Sequence, residues 1–517
     1  MYCNRLLLAL AFLASAAAHV AAQSTPVRMP AEYEPERQLQ SAPRFVEPPS
    51  VPGGAWSQVE VYFMPLLDLG PVLTEDLNAP PQSPNRIGIN RAMPEGSDCN
   101  VLGRWSREGG RDIWRMRLRD PGAQALRIGF DRFALPDDGV FVVGDREQRF
   151  SVEFDSEDVQ VDGWFWTPPI PGEEIYLEYS CARRRPEADL RMKSVAHLYA
   201  GGFQPQAGSG GCVVEPCHVD VVCDPNIGGN SVGRMLYSSG SGTFTCSGSL
   251  MNDAISYISV PYFLTANHCL STQSEASSLN VTFFFQSSTC GGSPPNPASL
   301  PQTNGSTLLE TTGDTDMTLL QLSGPIPGGV TFAGWSTGLP FPGEVLRGVH
   351  HPASCRKRVS VGEIDLDPFV ACSDAPLENF HYGTWASGHT EGGSSGSPLF
   401  NSAGLVIGQL FGTCSIPDTA VECGGSGDNW LWVYGRFDKS FDLLRPYLLE
   451  SGAWVDFSYS GTEVGSPAQP FNTVAEALQV VPPGGRIWFR PGSTPESPLV
   501  DQSITFAALG GPVTLGL

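Results

Sequence analysis

Three residues of this 517-residue chain have the types and settings needed to break an acyl bond. Ser395 lies in "GGSSGSP", among small residues that let a substrate come close to the backbone. A serine hydroxyl is a weak nucleophile unless a neighbouring base takes its proton. The base must have a pKa near neutrality, which points to histidine. The histidine in turn needs a carboxylate to fix its tautomer and stabilise its cation. His268 follows "PYFLTA", and Asp316 opens "DMTLLQL", each at the end of a strand-like run. Asp314 lies close by but is not followed by a strand pattern. His268 next to Cys269 could suggest a zinc site, yet no CxxC or HxxxH lies near it, so neither metal nor cofactor is expected.

These residues need rigid elements to bring them together. Gly 58 and Pro 45, with 16% charged residues, indicate a turn-rich, mostly β protein, and the length suits three or four domains. Residues 1–22 read as a signal peptide: Arg5, an apolar core Leu6 to Ala18, then Val20-Ala21-Ala22 before a cut at Gln23. Cys3 leaves with it, and the remaining 12 of the 13 cysteines suit an oxidising, extracellular compartment. No later run is long enough to span a membrane. The net charge of -23 argues against nucleic acid and anionic lipid as partners.

Residues 23–58 are Pro-rich, with no core of their own expected. Residues 59–182 alternate in short runs spaced by Gly, Pro and Asp, which predicts an antiparallel β-sandwich with Cys99 paired to Cys181. Residues 183–211 begin with a triple arginine, include Lys193 and end Gly-rich, which reads as an exposed linker and processing region. Residues 212–450 form a second long β-rich unit, and 451–517 read as the first coils of a parallel β-helix. Such coils need neighbours, so the piece either packs on the preceding unit or is cut short.

The order His, Asp, Ser, with the TAxHC and GxSGxP signatures, resembles the chymotrypsin-like serine peptidases. "PCHVDVVC", "CSGSLMND", "YFLTANHC", "DMTLLQL", "HHPA", "TEGGSSGSP", "GQLFG" and "YGR" resemble the secreted bacterial lysyl endopeptidases, over about residues 215 to 450. The resemblance implies an all-β chymotrypsin-like double β-barrel, with residues 59–182 as a prodomain. It implies Ser395 as nucleophile, His268 as general base and acid, and Asp316 as the group that orients His268. The backbone N–H groups of Gly393 and Ser395 would form the oxyanion hole. It also implies disulfides Cys246–Cys269, Cys223–Cys290, and Cys217 to Cys414 or Cys423. His350 and His351, in "HHP", would be structural rather than metal ligands.

Where many relatives carry an aspartate before the nucleophile, this chain has Ser394. Activation would then mean losing a prosegment. The family's lysine-binding aspartate falls at Trp432 and its histidine after "GQL" at Phe411, while Leu410 stands where the glutamyl endopeptidases carry their glutamate-binding histidine. A specificity pocket of His389, Phe411, Trp432 and Asp428 is expected. The lysines are only Lys193, Lys357 and Lys439; a lysine-cutting enzyme gains from such scarcity, though a GC-rich genome gives it too. Asn280 and Asn304 head glycosylation sequons. The expectation is a secreted, monomeric serine endopeptidase whose partners are peptide substrates and its own prodomain. The alternatives are the same fold with an apolar preference, or an inactive surface adhesion protein.

Overall fold

The computed structural model describes residues 59–203 and 217–516, apart from 81–82, 148, 161–162, 225, 228, 254–259, 294, 367–371, 416–429, 450–451, 482, 484 and 501, with three two-residue strands within 28–45. The signal peptide expected at 1–22 lies outside the described residues, as do Cys212, Cys423 and Asp428.

The first unit is a β-sandwich. One sheet runs Ser151–Phe154, Val140–Asp145, Glu174–Cys181, Arg111–Arg119 and Val61–Phe63, with Arg104–Glu108 on the side. The facing sheet carries Ala125–Phe133, Leu190–Leu198 and Asn85–Ala92. Alternate side chains from both enter one core, where Phe130, Phe133, Phe141, Phe154 and Phe165 pack ring on ring.

Two expectations for this unit need correction. The linker predicted from 183 is a strand from Leu190 to Leu198, paired on both sides with Ala125–Phe133 and Asn85–Ala92. Its alternation of buried and exposed residues is a strand pattern that the basic residues masked. The triple arginine is an exposed turn between strands, and Lys193 has its carbonyl bound by the Met93 N–H. Cys99 and Cys181 are both buried and unpaired, one beside the Leu190–Leu198 strand and the other ending Glu174–Cys181 on the opposite sheet. Burial pushes the Cys99 thiol up to about 11.

The second sheet of the sandwich does not stop at the unit's edge. Asn85–Ala92 also pairs with Gly242–Met251, so one sheet continues into the next unit. There Val232–Ser239, Gly242–Met251, Tyr262–Ala266, Met317–Leu322, Ser306–Thr312, Gln302–Asn304 and Asn280–Thr282 close into a barrel around Met235, Leu250, Phe263, Val281 and Leu320. Asn280 is one of its buried residues, and its amide donates to Gln302 and Asn304, so this sequon is not open to a glycan.

A second barrel follows the order Val406–Ser415, Pro398–Phe400, Leu346–His350, Arg358–Asp365, Phe380–Ser387 and Trp430–Arg436, which pairs back to Val406–Ser415. The fold is therefore all-β with two barrels, of the chymotrypsin-like kind. Phe437–Leu448 then forms a helix whose Phe437, Phe441, Leu444 and Tyr447 face inward, with Phe441 5.1 Å from Trp335. The last segment stacks Gly452–Val455, Arg486–Phe489 and Thr505–Ala508 as parallel strands. It packs on the barrels: Trp454 stacks 5.5 Å from Tyr447, and Gln321 donates to Ser466.

Two buried arginines bridge the first unit to the first barrel. Arg127 donates to Ser278 O, and Arg234 donates to Gly201 O and Ser354 O between the rings of Phe203 and Phe285. Lys357 is likewise fully buried, with Nζ 2.7 Å from Gly229 O, and burial pushes its ammonium down to about 7. Its folded pKa lies below its unfolded one, so the unfolded chain holds more protons between about pH 7 and pH 10. Stability from this group therefore rises with pH across that window. Lys357→Met should be more stable than the parent near pH 7.5, and the gap should shrink by pH 9.5 when urea midpoints are compared.

Candidate active site

The apolar strand Tyr262–Ala266 is buried along its length and ends at a turn that delivers His268 to the cleft between the barrels. Met317–Leu322, its hydrogen-bonded neighbour, begins where Asp316 ends a turn. Asp316 has φ 55°, a left-handed conformation unusual for a residue with a side chain. That turn aims the carboxylate at His268 twice. Its Oδ1 accepts from the His268 N–H at 2.8 Å, and its Oδ2 lies 2.7 Å from Nδ1. An ionised carboxylate can only accept, so Nδ1 carries the proton and Nε2 keeps its lone pair. Asp314 points elsewhere; it is exposed at the turn's tip.

The second barrel braces the Asp316 turn. Gln409 donates to Thr315 O at 2.7 Å, and the Thr315 and Ser440 hydroxyls meet at 2.7 Å. Gln409 belongs to the strand Val406–Ser415, which also binds the nucleophile loop: Gly396 N–H donates to Leu410 O, and Leu410 N–H to Ser397 O.

Ser395 is tied to the same place from the other side. Its carbonyl accepts from Ser247 N–H at 2.8 Å. A Cβ at Gly396 would meet Thr265 Oγ1 at 2.2 Å and Ala266 N at 2.8 Å, so only glycine allows the loop to lie this close to the strand that carries His268. No hydrogen bond joins the Ser395 hydroxyl to His268 in this structure. The ring's Nε2 side faces Cys269 Sγ at 3.8 Å, and Phe411 meets the ring edge-on with centroids 5.9 Å apart.

Cys246 and Cys269 are bonded, with Cα atoms 6.4 Å apart, and so are Cys223 and Cys290. Cys414 is not paired with Cys217. It bonds Cys372, beside which it lies in the cluster around Ala375 and Tyr382. Cys217 and Cys355 each carry a further disulfide.

The expected pocket is only partly assembled. Phe411 stands against His268, and His389 is half-buried in the approach to the nucleophile loop. Trp432 is 1% exposed and packs on Trp385 and Tyr434 within the second barrel, so it fills core rather than lining an open cleft. His350 and His351 are both buried: His350 bonds the Ser394 and Ser360 hydroxyls through its two ring nitrogens, and His351 bonds Cys355 O through Nδ1. Burial holds both far below the usual histidine range.

Glu391, outside the expected pocket, has its Oε1 3.4 Å from His218 Nε2. Burial, with help from Arg358, pushes His218 down to about 4, so it stays neutral near pH 7. An acidic residue four before Ser395 was the available signal.

The profile described as "Lysyl endopeptidase, C-terminal domain" matches residues 213–423, and "Lysyl endopeptidase N-terminal domain" matches residues 71–199. The lysyl endopeptidase of Pseudomonas aeruginosa is 28% identical over 348 residues, covering 63% of this chain and 73% of that protein. The chain belongs to the lysyl endopeptidase-like family. As a member of that family it is a serine endopeptidase. The N-terminal match reaches residue 199 and so includes the Leu190–Leu198 strand. A secreted RxLR effector protein 73 of Plasmopara viticola is 27% identical over 203 residues, covering 37% of this chain and 47% of that protein. Among solved structures, an HtrA-type protease AlgW with tripeptide (17% identical, TM-score 0.28) spans 42% of this chain and 59% of its own. A thermostable serine protease AL20 (14% identical, TM-score 0.28) spans 41% of this chain and 94% of its own.

The Cys246–Cys269 bridge closes a short loop behind the histidine, with a sequence separation of 23. A loop of that size contributes about 3 kcal/mol through restriction of the unfolded chain. Cys246→Ala/Cys269→Ala should lower unfolding stability by roughly that amount in urea titration.

Proposed function

We propose that this lysyl endopeptidase-like chain is a secreted precursor that cuts peptide bonds through an acyl-enzyme on Ser395. His268 takes the Ser395 proton as the hydroxyl attacks the scissile carbonyl, then returns it to the leaving amine. Asp316 holds the ring and stabilises its cation. The N–H groups of Gly393 and Ser395 receive the negative charge of the tetrahedral intermediate. Water then repeats the sequence in reverse on the acyl-enzyme. The observation that carries this reading is the two-point grip of Asp316 on His268, 2.8 Å and 2.7 Å, beside a serine loop anchored to the same strands.

A preference for lysine is supported by the family membership. A lysine ammonium entering the cleft needs an anionic partner, because burying it alone is costly, and half-buried Glu391, four residues before Ser395, is the candidate. Removal of the N-terminal unit would complete maturation. Lys193 sits at a bulge between Met192 and Ser194, which pair with Phe130 and Gly129, and its carbonyl is held by the Met93 N–H, so a cut there needs the strand to open locally first.

Ser395→Ala should lose about 10⁶ in kcat and all labelling by a serine-directed fluorophosphonate. Asp316→Asn should lose about 10⁴ in kcat while staying folded. Wild-type labelling that survives Ser395→Ala would sink the assignment. A peptide library should show cuts after lysine, and Glu391→Gln should weaken that preference. Cuts after apolar residues in the parent would give the pocket to Phe411 instead.

A further inference from the structure

The nucleophile loop is held by four consecutive carbonyls. Gly392 O accepts from Ala353 N–H at 2.7 Å, and Gly393 O accepts from the Ser247 hydroxyl at 2.9 Å. Ser394 O accepts from Ser397 N–H at 3.0 Å, and Ser395 O from Ser247 N–H at 2.8 Å. A trans peptide points its N–H away from its C=O. With Gly392 O fixed on Ala353, the Gly393 N–H turns the other way. Ser394, Gly396 and Ser397 donate to Glu391, Leu410 and Ser394 carbonyls. Among the described residues, the N–H groups of Gly393 and Ser395 donate to no protein acceptor.

Ser247 holds two of the four carbonyls, and it is fully buried. Its hydroxyl also accepts from His351 N–H at 2.9 Å, and its own carbonyl accepts from Thr265 Oγ1 at 2.9 Å. The hydroxyl therefore links one backbone N–H to one backbone carbonyl, with its single proton committed to Gly393. Gly393 has φ 94°, and a Cβ there would meet His351 O at 2.9 Å and Ser354 N at 3.0 Å. The wall it faces is itself bent, since Ala353 and Ser354 have φ 47° and 60°. A left-handed pair of non-glycine residues persists only where its surroundings fix it.

We propose that Ser247 is a positioning residue for the oxyanion hole. Its hydroxyl holds the Gly393 carbonyl inward and so keeps the loop in the one arrangement that presents both N–H groups to a substrate. This inference rests on the reading of Ser395 and the Gly393 N–H given above. Position 394 is a neutral serine bonded to His350, and the Ser247 hydroxyl is a further tie on the loop beside the nucleophile.

The test uses Ser247→Ala in the full chain, processed as the parent is, with a peptide amide chosen from the cleavage library. The expected result is a fall in kcat of roughly 10- to 100-fold, a fraction of what loss of a whole donor costs, with KM within about twofold. A peptide aldehyde, which forms an oxyanion on binding, should lose the same factor in Ki. The product peptide, which forms none, should bind as before. Ser247→Thr, which restores the hydroxyl, should recover most of the rate. A folded Ser247→Ala with parental kcat would overturn the proposal, and so would equal losses for aldehyde and product. Should Ser247→Ala fail to fold, Ser247→Cys keeps the size with a weaker donor and is read by the same aldehyde-to-product ratio. Ser395→Ala is run alongside: if it stays active, the nucleophile reading falls, whereas an inactive Ser395→Ala with a parental Ser247→Ala removes only the role of Ser247.

Discussion

The grip of one carboxylate on one residue organises the cleft. Asp316 uses one oxygen for the backbone of His268 and the other for its ring. The carboxylate is nearly enclosed, and a buried anion is tolerable only with hydrogen bonds of this kind. Aiming it requires the left-handed turn at Asp316, and that turn is steadied by Gln409 from the opposite barrel. The two barrels therefore meet at the point where an error of a fraction of an ångström would cost most. The nucleophile loop rests on the same Val406–Ser415 strand, so base and nucleophile share a single support.

The N-terminal unit is bound into this framework more deeply than a loosely tethered domain would be. Its strand Asn85–Ala92 lies between Leu190–Leu198 and Gly242–Met251. Arg127 and Arg234 cross the boundary in opposite directions, each fully buried, each ending on backbone carbonyls and aromatic faces instead of carboxylates. Burial pushes both guanidinium groups down to about 9, which still leaves them charged at neutral pH. A buried charge with carbonyl partners only is stable while those partners remain, so these two side chains depend on the neighbouring unit's presence.

Much of the site was legible in the sequence because its parts are local. A strand-like run leading to His268, another opening at Asp316, and a glycine-serine loop at Ser395 announce themselves within a few residues. Alternation also revealed the sandwich. What stayed hidden depends on contacts between distant segments. Nothing local marks Ser247 as the support of Gly393, since the two are 146 residues apart. The strand at Leu190–Leu198 was obscured by arginines that turn out to sit on its exposed side or just before it. Elimination pairs Cys99 with Cys181, yet two thiols on opposing sheets need not meet. Counting along a motif puts Trp432 at the cleft, but counting does not show which way a side chain in a closed barrel points.

The shared sheet carries a further consequence. Gly242–Thr245 finds its backbone partners in the first unit, at Asn85 to Ile89. A catalytic unit released from that partner would expose a raw row of amides and carbonyls, together with Arg234 and the face of Phe285. Such a rim is sticky toward any extended segment that can complete it. The severed N-terminal piece, carrying the matching edge, would be the best-fitting plug for the wound its own departure opens.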